Sequence, residues 1–208
     1  MKKLLHIIAS PRGEESHTLE VSAAFSEAFL STHKDWSIDE LDLTKEALPA
    51  LTLKRVDGKY VLLQGKELYG DLKEAWQDII HHIERFKSAD GYVISTPMWN
   101  FGVPYVLKQY IDIIVQPKYL FQYTAKGVEG LIKNRKLLII ASRGGDYSAP
   151  AMCAADFQEK YLRFVFGFVG IDDIASVVAQ PMDMGLELQR QKIQEAQNKV
   201  RDIALKWG

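Results

Sequence analysis

The chain has 208 residues, 47% hydrophobic and 25% charged, with 26 basic and 27 acidic side chains and a net charge of −1. That balance excludes a broad basic field for nucleic acid, and the length predicts a single domain over 1–208 with a substantial core. Cys153 is the only cysteine, so no internal disulfide forms and a reducing cytoplasm is expected; no segment approaches the roughly 20 apolar residues that cross a bilayer.

In chain order, Met1–Ala9 faintly mimics a signal peptide, but it breaks at Ser10-Pro11-Arg12-Gly13, and Leu4–Ala9 reads as a buried strand. A polar loop, Ser10–His17, leads to an amphipathic helix over Thr18–Ser31 with Leu19, Ala23, Phe25, Phe29 and Leu30 facing inward. Trp36–Leu43 alternates apolar with polar, as a half-buried strand nearer a sheet edge does. Within 44–67, Leu48-Pro49-Ala50-Leu51 reads as a loop or short helix, and Val56–Leu63 reads either as a small hairpin around Asp57-Gly58 or as a mobile cover. A helical pattern resumes at Tyr69 and runs through Leu72, Ala75, Trp76, Ile79, Ile80, Ile83 and Phe86.

Gly91–Thr96 is almost wholly apolar, as expected of a strand covered on both faces. After it comes the loop Pro97-Met98-Trp99-Asn100-Phe101-Gly102-Val103-Pro104, then a helix marked by Val106, Leu107, Tyr110, Ile111 and Ile114. Residues 117–130 form a long aromatic connection carrying Tyr119, Phe121 and Tyr123. Lys136–Ala141 is another buried strand, ending in Ser142-Arg143-Gly144-Gly145-Asp146-Tyr147. A helix over Ala155–Phe168, a last strand over Ile174–Ala179 and a closing helix over Leu186–Lys206 complete the chain, with the charged face of the last helix read as solvent-exposed. Five strands alternating with helices predict an α/β doubly wound parallel sheet of flavodoxin-like order 2-1-3-4-5, with helices on both faces.

In that order, the loops after strands 1, 3 and 4 meet along one sheet edge, where open α/β sheets bind their ligands. Ser10, Ser16 and Thr18 offer hydroxyls, His17 a base, and the helix start free N–H groups, a set suited to a phosphate monoester. Ser16 reads equally well as a simple N-cap. The central loop, with its indole, amide and phenyl ring, suits a flat electron-accepting ring, and Ser142–Gly145 offers close backbone approach and a cation.

These motifs, with Phe121-Gln122-Tyr123-Thr124, Gly130-Leu131 and Gly167-Phe168-Val169-Gly170-Ile171, resemble the FMN-dependent NADH-azoreductase family of homodimeric quinone and azo-dye reductases. The resemblance implies FMN with its phosphate at Ser10, Ser16, His17 and Thr18, its ring bordered by Met98, Trp99, Asn100 and Phe101, and its polar edge along Ser142, Arg143, Gly144 and Gly145. It further implies NADH or NADPH as donor, a quinone or azo acceptor, a homodimer, and no catalytic side chain, since the cofactor carries the chemistry. Phe121, Tyr123, Tyr147 and Phe168 are candidates to stack on the nicotinamide or acceptor, from the same chain or from across a dimer interface; core or interface packing is the alternative. Two departures from the family pattern, Gln116-Pro117-Lys118 and Asp146–Pro150, fall where the acceptor or nicotinamide is expected.

Other readings are weaker. Asp78, His81 and His82 do not make a convincing metal site, Cys153 lacks a histidine partner, Ser10 lacks a Gly-x-Ser-x-Gly elbow, and His6 reads as structural. The competing function is a flavodoxin-type electron carrier that oxidises no nicotinamide, and a third reading is a cofactor-free scaffold. A net charge of −1 argues against the first of these, intact loops against the second.

Overall fold

The computed structural model describes residues 1–207. Five strands, β1 (Lys2–Ile8), β2 (Trp36–Asp42), β3 (Gly91–Pro97), β6 (Lys136–Ser142) and β7 (Asp173–Ala179), form one parallel sheet in the order β2-β1-β3-β6-β7. Counting sheet strands only, this is the expected 2-1-3-4-5. A separate antiparallel hairpin, β4 (Phe121–Thr124) with β5 (Gly127–Gly130), occupies what the sequence presents as a long connection. Four-residue strands with mostly exposed side chains leave little apolar alternation to detect.

Neighbouring side chains along β1 enter different cores. Leu5 and Ile7 join the layer built on α2 (Leu53–Leu63), α4 (Gln77–Lys87), α5 (Tyr105–Ile114) and α7 (Phe157–Phe168). Leu4 faces α1 (His17–Thr32) and α8 (Leu186–Leu205). On α1 the buried stripe is Val21, Ala24, Phe25 and Phe29, whereas Ala23 and Leu30 are exposed; the i, i+4 repeat from Val21 to Phe25 to Phe29 sets the inward face. Nor is α8 wholly solvated. Ile193, Ala196, Val200 and Ala204 are buried, and the Trp207 ring lies 5.5 Å from Phe25 and 5.9 Å from Phe29.

Residues 53–63 are helical, so the hairpin reading of Asp57-Gly58 is corrected. Gly58 serves packing rather than a turn: a Cβ there would lie 2.2 Å from Trp76 Nε1, which donates to the Arg55 carbonyl at 2.9 Å. Trp76 also divides the pattern read as one helix into α3 (Gly70–Ala75) and α4. Asp78 pairs with Arg55 at 3.1 Å, and His82 is buried with its ring edge-on to Tyr110, so neither is directed at the other.

His6 is buried in β1 and shares a 2.7 Å hydrogen bond with the Ser95 hydroxyl, while its Nδ1 has no partner among the described residues. Burial lowers its pKa to about 4. The unfolded chain therefore binds a proton near pH 6.5 that the folded chain refuses, and stability falls as pH drops through that window. Urea unfolding should show a loss approaching 1.4 kcal/mol per pH unit, roughly, between pH 6.5 and 4 from this residue. In His6→Leu the slope should be shallower by that amount; equal slopes would assign the acid sensitivity elsewhere.

Candidate functional site

The three loops predicted to converge do so through named hydrogen bonds. The Thr18 hydroxyl meets the Ser142 hydroxyl at 2.6 Å, and the Met98 N–H donates to the Ser142 carbonyl at 2.9 Å. Ser142, the last residue of β6, is thus the node joining all three. Ser10 and Ser16, both buried, share a 2.6 Å hydrogen bond. Ser16 also caps α1, accepting from the Leu19 N–H at 3.3 Å. The capping and ligand readings are therefore compatible.

At the start of α1, the N–H groups of His17 and Thr18 have no acceptor among the described residues. Four hydroxyls and two free N–H groups at the positive end of a 16-residue helix form a cradle whose chemistry fits a phosphate dianion. The His17 ring leans toward Glu20, with Nδ1 3.9 Å from Oε2.

The central loop closes as a two-residue turn. Trp99 and Gly102 exchange N–H···O bonds of 3.0 and 2.9 Å, and between them Asn100 and Phe101 have φ of 46° and 67°. Asparagine tolerates the left-handed region, but phenylalanine does not, and Phe101 there costs roughly 1 kcal/mol or more. The turn holds the Trp99 and Phe101 rings 41% and 48% exposed, leaving apolar faces beside the hydroxyl cradle. Asn100 is exposed at the tip. Phe101→Gly should therefore stabilise the apoprotein by about 1 kcal/mol in thermal melts while weakening retention of a ring ligand. A destabilised variant would mean that the ring, not the backbone, dominates there.

The third loop differs from its sequence reading in one respect. The Arg143 guanidinium is buried and mostly engaged within the chain: Nη1 lies 2.9 Å from the Asp156 carboxylate, Nε donates to Gln158 Oε1 at 3.2 Å, and Nη2 has no hydrogen-bond partner among the described residues. Tyr147 packs over this guanidinium at 5.7 Å and meets Phe101 edge-on at 6.3 Å, so it stays with the site. Gly145 is exposed, and a Cβ there would make ordinary contact with the Tyr147 ring at 3.6 Å; at Gly144 a Cβ would strike the Asp183 carboxylate at 2.2 Å.

Phe121, Tyr123 and Phe168 are not brought to these loops within the chain. Phe121 packs on Phe168 at 4.8 Å and on Tyr123 at 5.8 Å. Phe168 ends the 12-residue helix whose first turn touches Phe101, about 16 Å away along the axis. The cluster belongs to the opposite edge of the sheet. Gln116 is there too, its amide donating to the Asp112 carbonyl at 2.6 Å, while Lys118 pairs with Glu67. Asp146, by contrast, folds its own loop by accepting from Ser148 N–H and hydroxyl.

Asp156, Phe157 and Gln158 are site-supporting residues that the sequence reading missed. Asp156 caps α7, accepting from the N–H groups of Gln158 and Glu159, and Asp-x-x-Glu before an apolar pattern is a recognisable start signal. Nothing local marks Gln158.

The sequence matches the family model described as the flavodoxin-like fold over residues 2–204. The chain belongs to this family. Among its flavodoxin-like relatives is the FMN-dependent NADH:quinone oxidoreductase of Nitratidesulfovibrio vulgaris, 39% identical over 209 residues, covering 100% of both chains. Azoreductase from Bacillus anthracis str. Sterne superposes with a TM-score of 0.90 at 28% identity, covering 99% of this chain and 100% of that one. The FMN-dependent NADH-azoreductase of the Ames Ancestor strain, solved in complex with FMN, gives 0.88 at 28% identity, covering 100% and 99%. Among the described residues no helix is long and apolar enough to cross a membrane.

Proposed function

We propose that this chain is an FMN-dependent NADH:quinone oxidoreductase that also reduces azo compounds. The observation that carries the reading is the joining, at Ser142, of a hydroxyl and N–H cradle to a strained turn presenting two rings. The FMN that these residues would hold would supply two-electron redox chemistry linking NADH or NADPH to a quinone or azo acceptor, in a ping-pong cycle.

The chain's own task is binding, orientation and exclusion of water. Ser10, Ser16, Thr18 and the free N–H groups of His17 and Thr18 would take the phosphate, with His17 beside them. Met98, Trp99, Asn100 and Phe101 would border the ring, and the backbone of Ser142, Arg143, Gly144 and Gly145 would line its polar edge. The Arg143 side chain would act indirectly, through α7. Tyr147, near Phe101, would flank the donor or acceptor, holding it at near-attack distance.

We infer a homodimer, because Phe121, Tyr123 and Phe168 reach a flavin only if supplied by another copy. An apolar groove of about 590 Å³ adjoins the central loop, lined by Gly102, Val103, Phe157, Tyr161 and Phe164. Phe157 and Phe164 are 62% and 76% exposed, more than isolated surface rings require. Phe164→Asp should convert a dimer to monomer by analytical ultracentrifugation and lower turnover; a parent that sediments as a monomer would remove this part of the reading. The single cysteine fits a cytoplasmic enzyme.

Anaerobic mixing with NADH tests the function directly. Bleaching of the flavin's visible band, reversed by a quinone, is the expected result. A band that stays unbleached would make the chain an electron carrier, and failure to take up FMN would end the proposal.

A further inference from the structure

The turn 99–102 closes on its own Trp99–Gly102 bonds, but Phe101 at its centre occupies a backbone region that bulky L side chains avoid, so outside contacts must help to hold it. Its anchors lie on the first turn of α7. Gln158 is fully buried; its Nε2 donates to the Pro97 carbonyl at 2.8 Å, immediately before Met98, while its Oε1 accepts from Arg143 Nε at 3.2 Å. The Phe157 N–H donates to the Phe101 carbonyl at 3.2 Å, and the Asp156 carboxylate takes Arg143 Nη1 at 2.9 Å. An amide carries a donor and an acceptor at fixed separation, so one side chain measures the gap between the end of β3, where the turn begins, and the loop after β6.

We propose that Gln158 is a positioning residue that, with Asp156 and Phe157, clamps the turn 99–102 to the loop 142–147 and so sets the geometry of the flavin ring site without touching it. This rests on the FMN reading above, but the clamp is a property of the apoprotein and is measurable there. A core-filling role would require only volume at position 158; a clamp requires both hydrogen bonds.

Gln158→Met keeps the volume and removes both. Amide hydrogen exchange at Trp99 and Gly102 in the apoprotein should accelerate at least ten-fold, the Kd for FMN should rise by a similar factor, and the midpoint potential of bound flavin should shift. Gln158→Glu, which keeps an acceptor for Arg143 but sets an oxygen against the Pro97 carbonyl, should loosen turn 99–102 more than loop 142–147. Exchange and Kd within two-fold of the parent, in a folded Gln158→Met protein, would overturn the proposal. Where that variant fails to fold, Asp156→Asn, which retains the capping oxygen, must accelerate exchange in loop 142–147 at least ten-fold or the clamp is wrong. A parent that takes up no FMN would defeat the functional reading, while the exchange comparison would still decide the clamp.

Discussion

Gly130→Ala should destabilise the protein by at least about 3 kcal/mol and lower its Tm by roughly 6–12 °C, while FMN affinity of the protein that remains folded stays within two-fold. A Cβ at Gly130 would lie 2.3 Å from both Gly170 N and the Val169 carbonyl carbon, and 2.6 Å from Gly170 Cα. These are backbone atoms, so no rotamer change relieves the clash. Relief demands that the β4–β5 hairpin lift off the end of α7, which also breaks the 2.8 Å bond from Ile132 N–H to the Val169 carbonyl and the Phe121–Phe168 contact. The proposed phosphate cradle sits at the opposite sheet edge, attached through Ser142, and should not feel the change. Acceptor turnover should suffer, because the hairpin carries the rings offered to a partner copy. Weakened FMN binding in the folded fraction would show that the two edges are coupled.

Arg143→Met is the second large effect, and there stability and cofactor binding should fall together. The guanidinium is 3% exposed and engages Asp156 and Gln158. Removing one member of a buried ion pair leaves the other uncompensated, at about 3–5 kcal/mol. Asp156 keeps its capping bonds and is 13% exposed, so the lower end applies, about 3 kcal/mol in urea unfolding at neutral pH. The loop 142–147 should loosen and FMN retention fall at least ten-fold. Arg143→Lys should not rescue it, since an ammonium cannot place one N–H on Asp156 and another on Gln158 in the guanidinium's fixed fork. Full FMN retention in Arg143→Met would show that the loop backbone holds without the buried cation.

Asn100→Ala would mix two effects. With φ at 46°, alanine there adds backbone strain of roughly 1 kcal/mol to the loss of the amide. Asn100→Gly separates the two: unchanged FMN retention and NADH oxidation in that variant would remove the Asn100 side chain from the site.

Much of this was legible in one dimension. The apolar runs Leu4–Ala9, Gly91–Thr96 and Lys136–Ala141 specify buried parallel strands because both faces must be covered. With that sheet come its order and the convergence of the loops holding Ser16, Trp99 and Ser142. Tertiary structure decided the rest, wherever a residue's partner lies far along the chain. Gly58 reads as a turn until Trp76 fills the space beside it, and Gly130 is explained only by Gly170, forty residues on. The burial of Arg143 against Asp156 is visible only once α7 packs there, and Gln158 carries no local signal because its donor and acceptor serve Pro97 and Arg143. Periodicity records which face of an element is buried, since that depends on residues a few positions apart; the pairing of a buried polar group depends on which distant element packs against it.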